Sequence, residues 1–266
     1  MTPAPSPDPA LESLLAFWRD AGADTAFEEA PVDRTLSHAK AEVRPLARAT
    51  AAIGAPTAPA GPDLANGIAE ARRLAAEAQD LDALKAAIAE FTGCPLRYEG
   101  ARQAVFARGE PDAPVMVIGE APGADEDAQG APFVGRAGRL LDRMLAAAGL
   151  TGRVFITNTV FWRPPGNRNP TPQEQAVCAP FVERAIALVG PKALLLAGGA
   201  SAKAMLKRDE GILSMRGRWF DWRAEEGGLT LPAMPTLHPA FLLRQPGAKK
   251  KAWTDLLALT RRLEEG

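Results

Sequence analysis

The sequence predicts an α/β fold of three layers, in which helices cover both faces of a central parallel sheet of four strands. Short apolar runs alternate with stretches of helical periodicity from about residue 115 onward, which is the pattern of repeated strand–helix units. The chain has 266 residues, enough to bury a sizeable core. Glycine, asparagine or histidine with proline stands where each apolar run ends, and these residues favour turns.

The predicted strands are four runs without charged residues, namely VMVIG (115–119), VFITN (154–158), ALLLAGG (193–199) and AMPTLHP (233–239). Helical periodicity follows them, starting at about residues 137, 172, 201 and 247. Parallel strands place their carboxyl ends along one edge of the sheet, where open α/β folds bind ligands. That edge is predicted to hold Glu120, Asn158, Gly198–Gly199 and His238.

Residues 1–60 differ in composition and are predicted to form an extension outside the main domain, which spans residues 61–266. The extension contains a short helix at Leu11–Ala21 and leads into an Ala- and Pro-rich linker, Ala55–Asp63. Ala-rich helical periodicity between Leu64 and Phe91 then predicts helices that cover one side of the core.

Charge and cysteine content limit the classes of function. The formal net charge is −1, so any nucleic-acid binding has to come from a local basic patch. Cys94 and Cys178 lie far apart in sequence and neither belongs to a Cys-x-x-Cys motif, which predicts a reducing, cytoplasmic location. No apolar run approaches the roughly 20 residues of a membrane span, and the acidic, proline-rich start does not resemble a signal peptide.

The segment from Val115 to Leu145 has the composition of an active-site loop. Glu120 lies between two glycines at the end of the first strand, and Asp125, Glu126 and Asp127 follow it. A lone aromatic residue, Phe133, comes shortly before the next helix. Carboxylates and an aromatic ring in one loop suggest a ring-shaped substrate. A solvated surface loop is the alternative interpretation.

Two uncharged polar residues end the later strands. Asn158 closes VFITN, and its amide offers a donor and an acceptor, which is what reading the polar edge of a base requires. His238 is one of two histidines in the chain and precedes Pro239 at the last strand end. A turn-forming asparagine and a structural histidine are the alternatives.

A stiff, basic loop follows Asn158. It contains Arg163 and Arg168 in the run RPPGNRNP, and a stiff basic loop at this edge suits a phosphate backbone. Thr171–Pro172–Gln173–Glu174 then predicts a helix that Thr171 caps, with proline at its first position.

Together, GEAPGADEDAQGAPFVGRAGRLL, ITN, RPPGNRNPTPQE and LHPAFLLR resemble the motifs of the uracil-DNA glycosylase superfamily, specifically its family-four-like branch. The resemblance covers roughly residues 90–260 and implies a monofunctional enzyme that flips uracil out of DNA and hydrolyses its N-glycosidic bond. It implies DNA as the partner, and we expect a monomer. Free-nucleotide binding by GEAPG is disfavoured, because no Gly-Lys-Ser/Thr follows.

The resemblance assigns roles to the site residues. Phe133 is expected to stack on uracil and Asn158 to read its polar edge. His238 is expected to donate a hydrogen bond to uracil O2, and Glu120 to position water near the sugar. Glu126 is expected to crowd the position of the thymine methyl group.

The segment after His238 resembles the loop with which the family enters the minor groove. Phe241 and Leu242 are the expected wedge in the gap left by the flipped base, and Arg244 is expected to contact a phosphate. An ordinary packing cluster at a helix start is the alternative.

The chain departs from the family at its iron–sulfur ligands. The four cysteine positions read Phe91, Cys94, Trp162 and Cys178, and a cubane cluster needs four thiolates or close substitutes. We therefore expect no cluster, no other metal or cofactor, and two buried thiols near each other. Two other functions stay open: a non-catalytic module that binds damaged DNA, and a glycosylase for deaminated purines such as hypoxanthine or xanthine.

Overall fold

The computed structural model describes residues 64–225 and 227–265. The predicted extension of residues 1–60, with its helix at Leu11–Ala21, and the linker Ala55–Asp63 lie outside the described residues. The boundary between residues 60 and 61 therefore stays a prediction.

Within the described residues the strands form one sheet of six, in the order β1-β3-β2-β4-β6-β5. The strands are β1 (Ala107–Gly109), β2 (Val115–Gly119), β3 (Val154–Asn158), β4 (Ala193–Ala197), β5 (Phe220–Arg223) and β6 (Thr230–Thr236). The four central strands are parallel, which confirms the predicted fold class.

The predicted number of strands is wrong, because β1 and β5 add an antiparallel strand at each edge of the sheet. These edge strands have three and four residues, and only Trp222 among them is buried. The apolar run that marks a central strand is absent from both, so the sequence carries no strong signal for them.

Nine α-helices surround the sheet within the described residues. They are α1 (Leu64–Glu77), α2 (Leu81–Glu90), α3 (Ala124–Gln129), α4 (Arg136–Ala147), α5 (Pro172–Val189), α6 (Gly199–Leu206), α7 (Ile212–Met215), α8 (Pro239–Arg244) and α9 (Lys249–Glu265). Short 3-10 turns lie at Pro95–Tyr98, Pro165–Asn167 and Pro246–Ala248.

Alternate residues of β2 separate the two helical layers. Met116 and Ile118 pack in the core formed with α1, α2 and α5. Val115 and Val117 face the opposite side, where α4 and α9 cover the sheet with residues such as Leu145. Since successive side chains of a strand point to opposite faces, this arrangement gives the three layers predicted from the sequence.

The acidic part of the predicted active-site loop forms the short helix α3. The Glu126 carboxylate accepts a hydrogen bond from the Gly123 backbone N–H at 3.1 Å, which caps the start of the helix. Gly130 ends it in a left-handed conformation with φ 74°. At the start of α5, the Thr171 hydroxyl accepts from the Glu174 backbone N–H, which confirms the predicted cap.

A buried carboxylate anchors the last strand of the sheet to α9. Asp255 has a fully buried side chain and accepts hydrogen bonds from the Thr236 hydroxyl at 2.8 Å and from Arg216 Nε at 3.1 Å. Burial raises the pKa of the Asp255 carboxyl, although Thr236 and Arg216 act in the opposite direction. Thr236 ends β6 two residues before His238, so this network holds the strand that carries the histidine.

We expect Asp255→Ala to lower the free energy of unfolding by about 3–5 kcal/mol, because it leaves the Arg216 charge without its buried partner. Urea denaturation followed by circular dichroism measures this loss. The control is Glu210→Ala, which removes an exposed ion pair with Arg208 and is expected to cost less than about 1 kcal/mol. Equal losses in the two variants would contradict the anchoring role of Asp255.

No helix among the described residues is long and apolar enough to cross a membrane.

Candidate active site

The carboxyl ends of the parallel strands bring the predicted polar residues to one edge of the sheet. Gly119 of β2 pairs in register with Asn158 of β3, so Glu120 follows directly beside the asparagine. His238 follows β6, and the side chain of His238 lies against Gly198 at the end of β4. Residues far apart in sequence therefore share one small site.

Asn158 carries an unusual feature for a buried side chain. It is 1% exposed, and its Oδ1 has no hydrogen-bond partner among the described residues. A buried acceptor without a partner costs about 1–3 kcal/mol. Such an atom at the edge of a sheet where ligands bind indicates a site prepared for a donor on a ligand.

The ring of Phe133 lies beside this unpaired oxygen. A Cβ atom on Gly119 would overlap Asn158 Oδ1 and would lie 2.5 Å from Cε2 of Phe133, so only glycine fits there. Phe133 is 6% exposed, and its ring centroid is 5.7 Å from that of His238, with 32° between the ring planes. The aromatic ring, the amide and the imidazole thus surround one space.

His238 is held as a neutral imidazole with a defined tautomer. Its Nδ1 accepts a hydrogen bond from the Ala240 backbone N–H at 3.1 Å at the start of α8, so the proton of the neutral ring lies on Nε2. Burial, with a smaller effect of the Arg244 charge, lowers the pKa of His238 to about 4, while Glu126 acts in the opposite direction. At neutral pH His238 can therefore donate from Nε2.

Glu120 is a partly exposed carboxylate of the site, and burial raises the pKa of Glu120 above its ordinary value. Thr159, a residue that no sequence motif marked, holds the backbone of Glu120. The Thr159 hydroxyl donates to the Glu120 carbonyl at 2.7 Å, and the Thr159 N–H donates to the Gly119 carbonyl at 3.0 Å. The residue that follows the neighbouring strand β3 thus holds the backbone at Glu120.

The Glu126 carboxylate is directed at the backbone of the surrounding loop. Besides the Gly123 N–H, it accepts from the N–H groups of Val134 at 3.0 Å and Gly135 at 2.9 Å. These hydrogen bonds join the start of α3 to the backbone that follows Phe133. Arg108 of β1 approaches the segment that carries Phe133, and no periodic pattern in the sequence marked this arginine.

The two arginines of the basic loop after β3 have different partners. Arg163 is half-buried and donates to Asn167 Oδ1 at 2.7 Å within the loop. Arg168 forms ion pairs with Glu174 at 2.6 Å and Glu99 at 3.2 Å. The charge of Arg168 is therefore compensated within the protein, and the side chain braces the loop against the start of α5.

The residues of the predicted minor-groove segment lie on helix α8 and differ in their burial. Leu242 is fully buried in a cluster with Leu140, Leu237 and Ala252. Phe241 is partly exposed and Arg244 is exposed. A helix turns by about 100° per residue, so neighbours along α8 face different directions and the structure places Leu242 in the core.

The two cysteines lie together on the helical face formed by α1, α2 and α5. Their sulfur atoms are 4.0 Å apart and both side chains are buried as free thiols. Phe91 packs edge-on against Phe181 with ring centroids 5.1 Å apart, and Trp162 packs edge-on against Phe161 at 6.2 Å. These rings and the two cysteines belong to one buried cluster.

Comparison with curated proteins finds relatives over most of this domain, and three of them carry the name Type-4 uracil-DNA glycosylase. The relative from Pyrobaculum aerophilum is 38% identical over 182 residues, which is 66% of this chain and 91% of that protein. The relative from Sulfurisphaera tokodaii is 36% identical over 64% of this chain and 79% of that protein. The Thermotoga maritima protein is 37% identical over 59% and 80%.

These relatives contradict the prediction of an enzyme without a cofactor, because type-4 uracil-DNA glycosylases are iron–sulfur enzymes. An iron–sulfur cubane needs four thiolates or close substitutes as ligands. Cys94 and Cys178 supply thiols, whereas Phe91 and Trp162 supply rings, and the described residues contain no group of three or more His, Cys, Asp or Glu that could hold a metal ion. These residues do not fit a four-cysteine cluster.

The match to the family extends over the whole site. The family model described as "Uracil DNA glycosylase superfamily" matches residues 106–257, from the start of the sheet to the middle of α9. This range contains Glu120, Phe133, Asn158 and His238. The chain belongs to the uracil-DNA glycosylase superfamily, in the branch of the type-4 enzymes.

Proposed function

We propose that this protein is a monofunctional uracil-DNA glycosylase, which takes uracil out of DNA into the site at the strand ends and hydrolyses its N-glycosidic bond. The observation that carries the proposal is the buried Oδ1 of Asn158, which lies beside the Phe133 ring and has no hydrogen-bond partner among the described residues. A flipped base needs stacking and edge contacts to offset the few kcal/mol of its extrusion. The names of the relatives support uracil as that base.

Recognition follows from the polar groups of the base. Asn158 Oδ1 accepts from uracil N3–H, and the amide NH₂ donates to uracil O4. Cytosine exposes an acceptor at N3 and a donor at N4, so both contacts are lost with cytosine. Stacking on Phe133 contributes on the order of 1–3 kcal/mol and does not depend on these groups.

Hydrolysis breaks the bond between N1 of uracil and C1′ of the sugar, and the bonding electron pair goes to the base. The Nε2–H of neutral His238 donates to uracil O2, where negative charge develops. Water forms the new bond to C1′, and Glu120 holds this water and takes its proton. The departing uracil anion takes up a proton from solvent and Glu120 returns its proton to solvent. The products are free uracil and an abasic site with an intact phosphate backbone.

Contacts to DNA are assigned to the exposed residues around the site. Arg244 and Arg163 are proposed to bind phosphates, and Phe241 is proposed to fill the gap left by the flipped base. The burial of Leu242 and the ion pairs of Arg168 favour supporting roles for these two residues, as an anchor of α8 and a brace of the basic loop.

The enzyme is further proposed to act as a cytoplasmic monomer. The free thiols of Cys94 and Cys178 are compatible with a reducing compartment. One chain supplies every residue that the proposed reaction uses, so the reaction requires no second subunit.

The pH dependence of kcat tests the role of Glu120. Only the ionised carboxylate accepts a proton, and burial raises the pKa of Glu120, so activity is expected to fall as the pH drops through that raised pKa. Glu120→Gln is expected to be slower and to lose this acid limb, because a glutamine amide does not titrate in this range.

Single-turnover excision rates over a pH range measure this limb, with circular dichroism as a check of folding. Asp112→Asn is the control, because this exposed carboxylate lies before the opposite end of β2. An unchanged acid limb in Glu120→Gln would contradict the assignment.

The proposed function is tested by identifying the released base. Single- and double-stranded oligonucleotides carrying uracil, hypoxanthine or xanthine are incubated with the protein, and free bases are detected by mass spectrometry. Release of uracil with alkali-labile abasic sites is expected. Release of only the purines would establish a different glycosylase, and DNA binding without release would establish a damage-binding module.

A further inference from the structure

Phe133 has a backbone conformation that residues other than glycine rarely adopt. Phe133 has φ +55°, in the left-handed region. A Cβ atom on Gly138 would overlap the Phe133 carbonyl, so the first turn of α4 packs directly against this peptide. Such a conformation persists only where the surroundings determine it.

Arg108 binds the carbonyl groups of the segment that carries Phe133 from one side. Its Nε donates to the Pro132 carbonyl at 2.7 Å, and its Nη2 donates to the Phe133 carbonyl at 3.1 Å. Asp142 of α4 accepts from the same guanidinium at 2.6 Å. The planar guanidinium presents its donors in a fixed geometry, so Arg108 holds two successive carbonyls at defined positions.

Glu126 binds the N–H groups of the same segment. Its Oε1 accepts from Val134 and Gly135, at 3.0 Å and 2.9 Å. The peptide group between Phe133 and Val134 is therefore bound at both ends, its carbonyl by Arg108 and its N–H by Glu126. Because Arg108 also binds the Pro132 carbonyl, the peptides on both sides of Phe133 are held, and with them the direction in which the ring leaves the backbone.

We propose that Arg108 and Glu126 are a pair of positioning residues that fix the 133–134 peptide and so hold the Phe133 ring in place for stacking. The inference rests on the proposed function, because it takes the flipped base as the partner of the ring. Neither side chain needs to touch the base. Glu126 accordingly contributes through the backbone of the segment as well as through any contact at the thymine methyl position.

A double-mutant cycle between Arg108 and Phe133 tests the proposal. Arg108→Met in the otherwise native protein is expected to lower kcat/KM for uracil about five- to 150-fold, the range that corresponds to a lost base–aromatic stack. In the Phe133→Ala background the same change is expected to alter kcat/KM less than about twofold, because the ring that it positions is gone. Glu126→Gln is expected to follow the same pattern.

Arg184→Met is the matched control. Arg184 also donates two hydrogen bonds to the backbone, both to the Ala78 carbonyl at 2.9 Å and 2.6 Å, on the helical face away from the site. Its loss is expected to affect thermal stability and to leave kcat/KM nearly unchanged in both backgrounds. Arg108→Lys keeps the positive charge beside Asp142 and serves as the second variant if Arg108→Met folds poorly.

The outcomes separate the two proposals. If the native protein excises uracil and Arg108→Met loses activity equally in both backgrounds, Arg108 acts on the fold in general and the positioning role is wrong. An unchanged kcat/KM in Arg108→Met, or in Arg108→Lys where only that variant folds, also overturns the positioning role. If the native protein excises no uracil, the proposed function fails, and the inference that rests on it fails too.

Discussion

Asn158→Ala is expected to lower kcat/KM for uracil excision by about 10²–10⁴-fold, the largest loss at this site together with that of His238. Two hydrogen bonds to the base edge disappear, and each buried polar group left unpaired costs about 1–3 kcal/mol. The loss is expected to be smaller for an analogue that lacks the N3–H donor, because native Asn158 Oδ1 then has no partner either. Single-turnover excision of a uracil oligonucleotide measures the effect.

The control for this variant is Asn169→Ala, since Asn169 is an exposed asparagine on the neighbouring basic loop. Its replacement is expected to leave the selectivity for uracil unchanged. Removal of the Asn158 amide also relieves the cost of a buried acceptor without a partner. We therefore expect Asn158→Ala to be at least as stable as the native protein, and a large loss of stability would indicate a structural role instead.

His238→Ala is expected to lower kcat by about 10²–10³-fold, which is the typical cost of removing one donor to a developing negative charge. The Michaelis constant is expected to change less, because this interaction strengthens as the bond breaks. Steady-state kinetics on a uracil duplex separate the two parameters.

His238→Gln provides the matched comparison, since a glutamine amide also carries an N–H donor. Partial recovery relative to His238→Ala is expected. Equal kcat values in native protein and His238→Ala would contradict the proposed role. A normal kcat with a strongly raised KM would assign His238 to binding alone.

The central strands could be predicted from the sequence because burial on both faces leaves a continuous apolar run. VMVIG and VFITN form strands with the predicted bounds, 115–119 and 154–158. The edge strands could not be predicted in the same way. Ala107–Gly109 is short and mostly exposed, and it becomes a strand because Val154–Asn158 offers an unpaired edge.

The same distinction applies to the site. Asn158 and His238 follow strand ends, and the geometry of a parallel sheet brings such residues together whatever their distance in sequence. The partners of long side chains depend instead on the tertiary structure. Arg168 pairs with Glu99, 69 residues away, and Arg108 reaches Phe133 across 25 residues. Neither contact leaves a periodic signal in the sequence.

The burial of Leu242 shows a third limit. PAFLLR contains three large apolar residues in a row, and the sequence does not say which of them faces the core. The helix direction is fixed by packing of α8 on α4, with Leu242 against Leu140. A motif therefore located the segment, whereas tertiary packing decided the role of each side chain.

The central claim is that the unpaired oxygen of Asn158 accepts the N3–H of uracil. Excision of uracil and of 3-deazauracil, which has C–H in place of N3–H, is measured for native protein and for Asn158→Ala. The ratio of the two substrates in the native protein, divided by that in the variant, cancels the difference in leaving-group chemistry. We predict a quotient of about five- to 150-fold, the value of a buried hydrogen bond of about 1–3 kcal/mol. A quotient near one would contradict the claim.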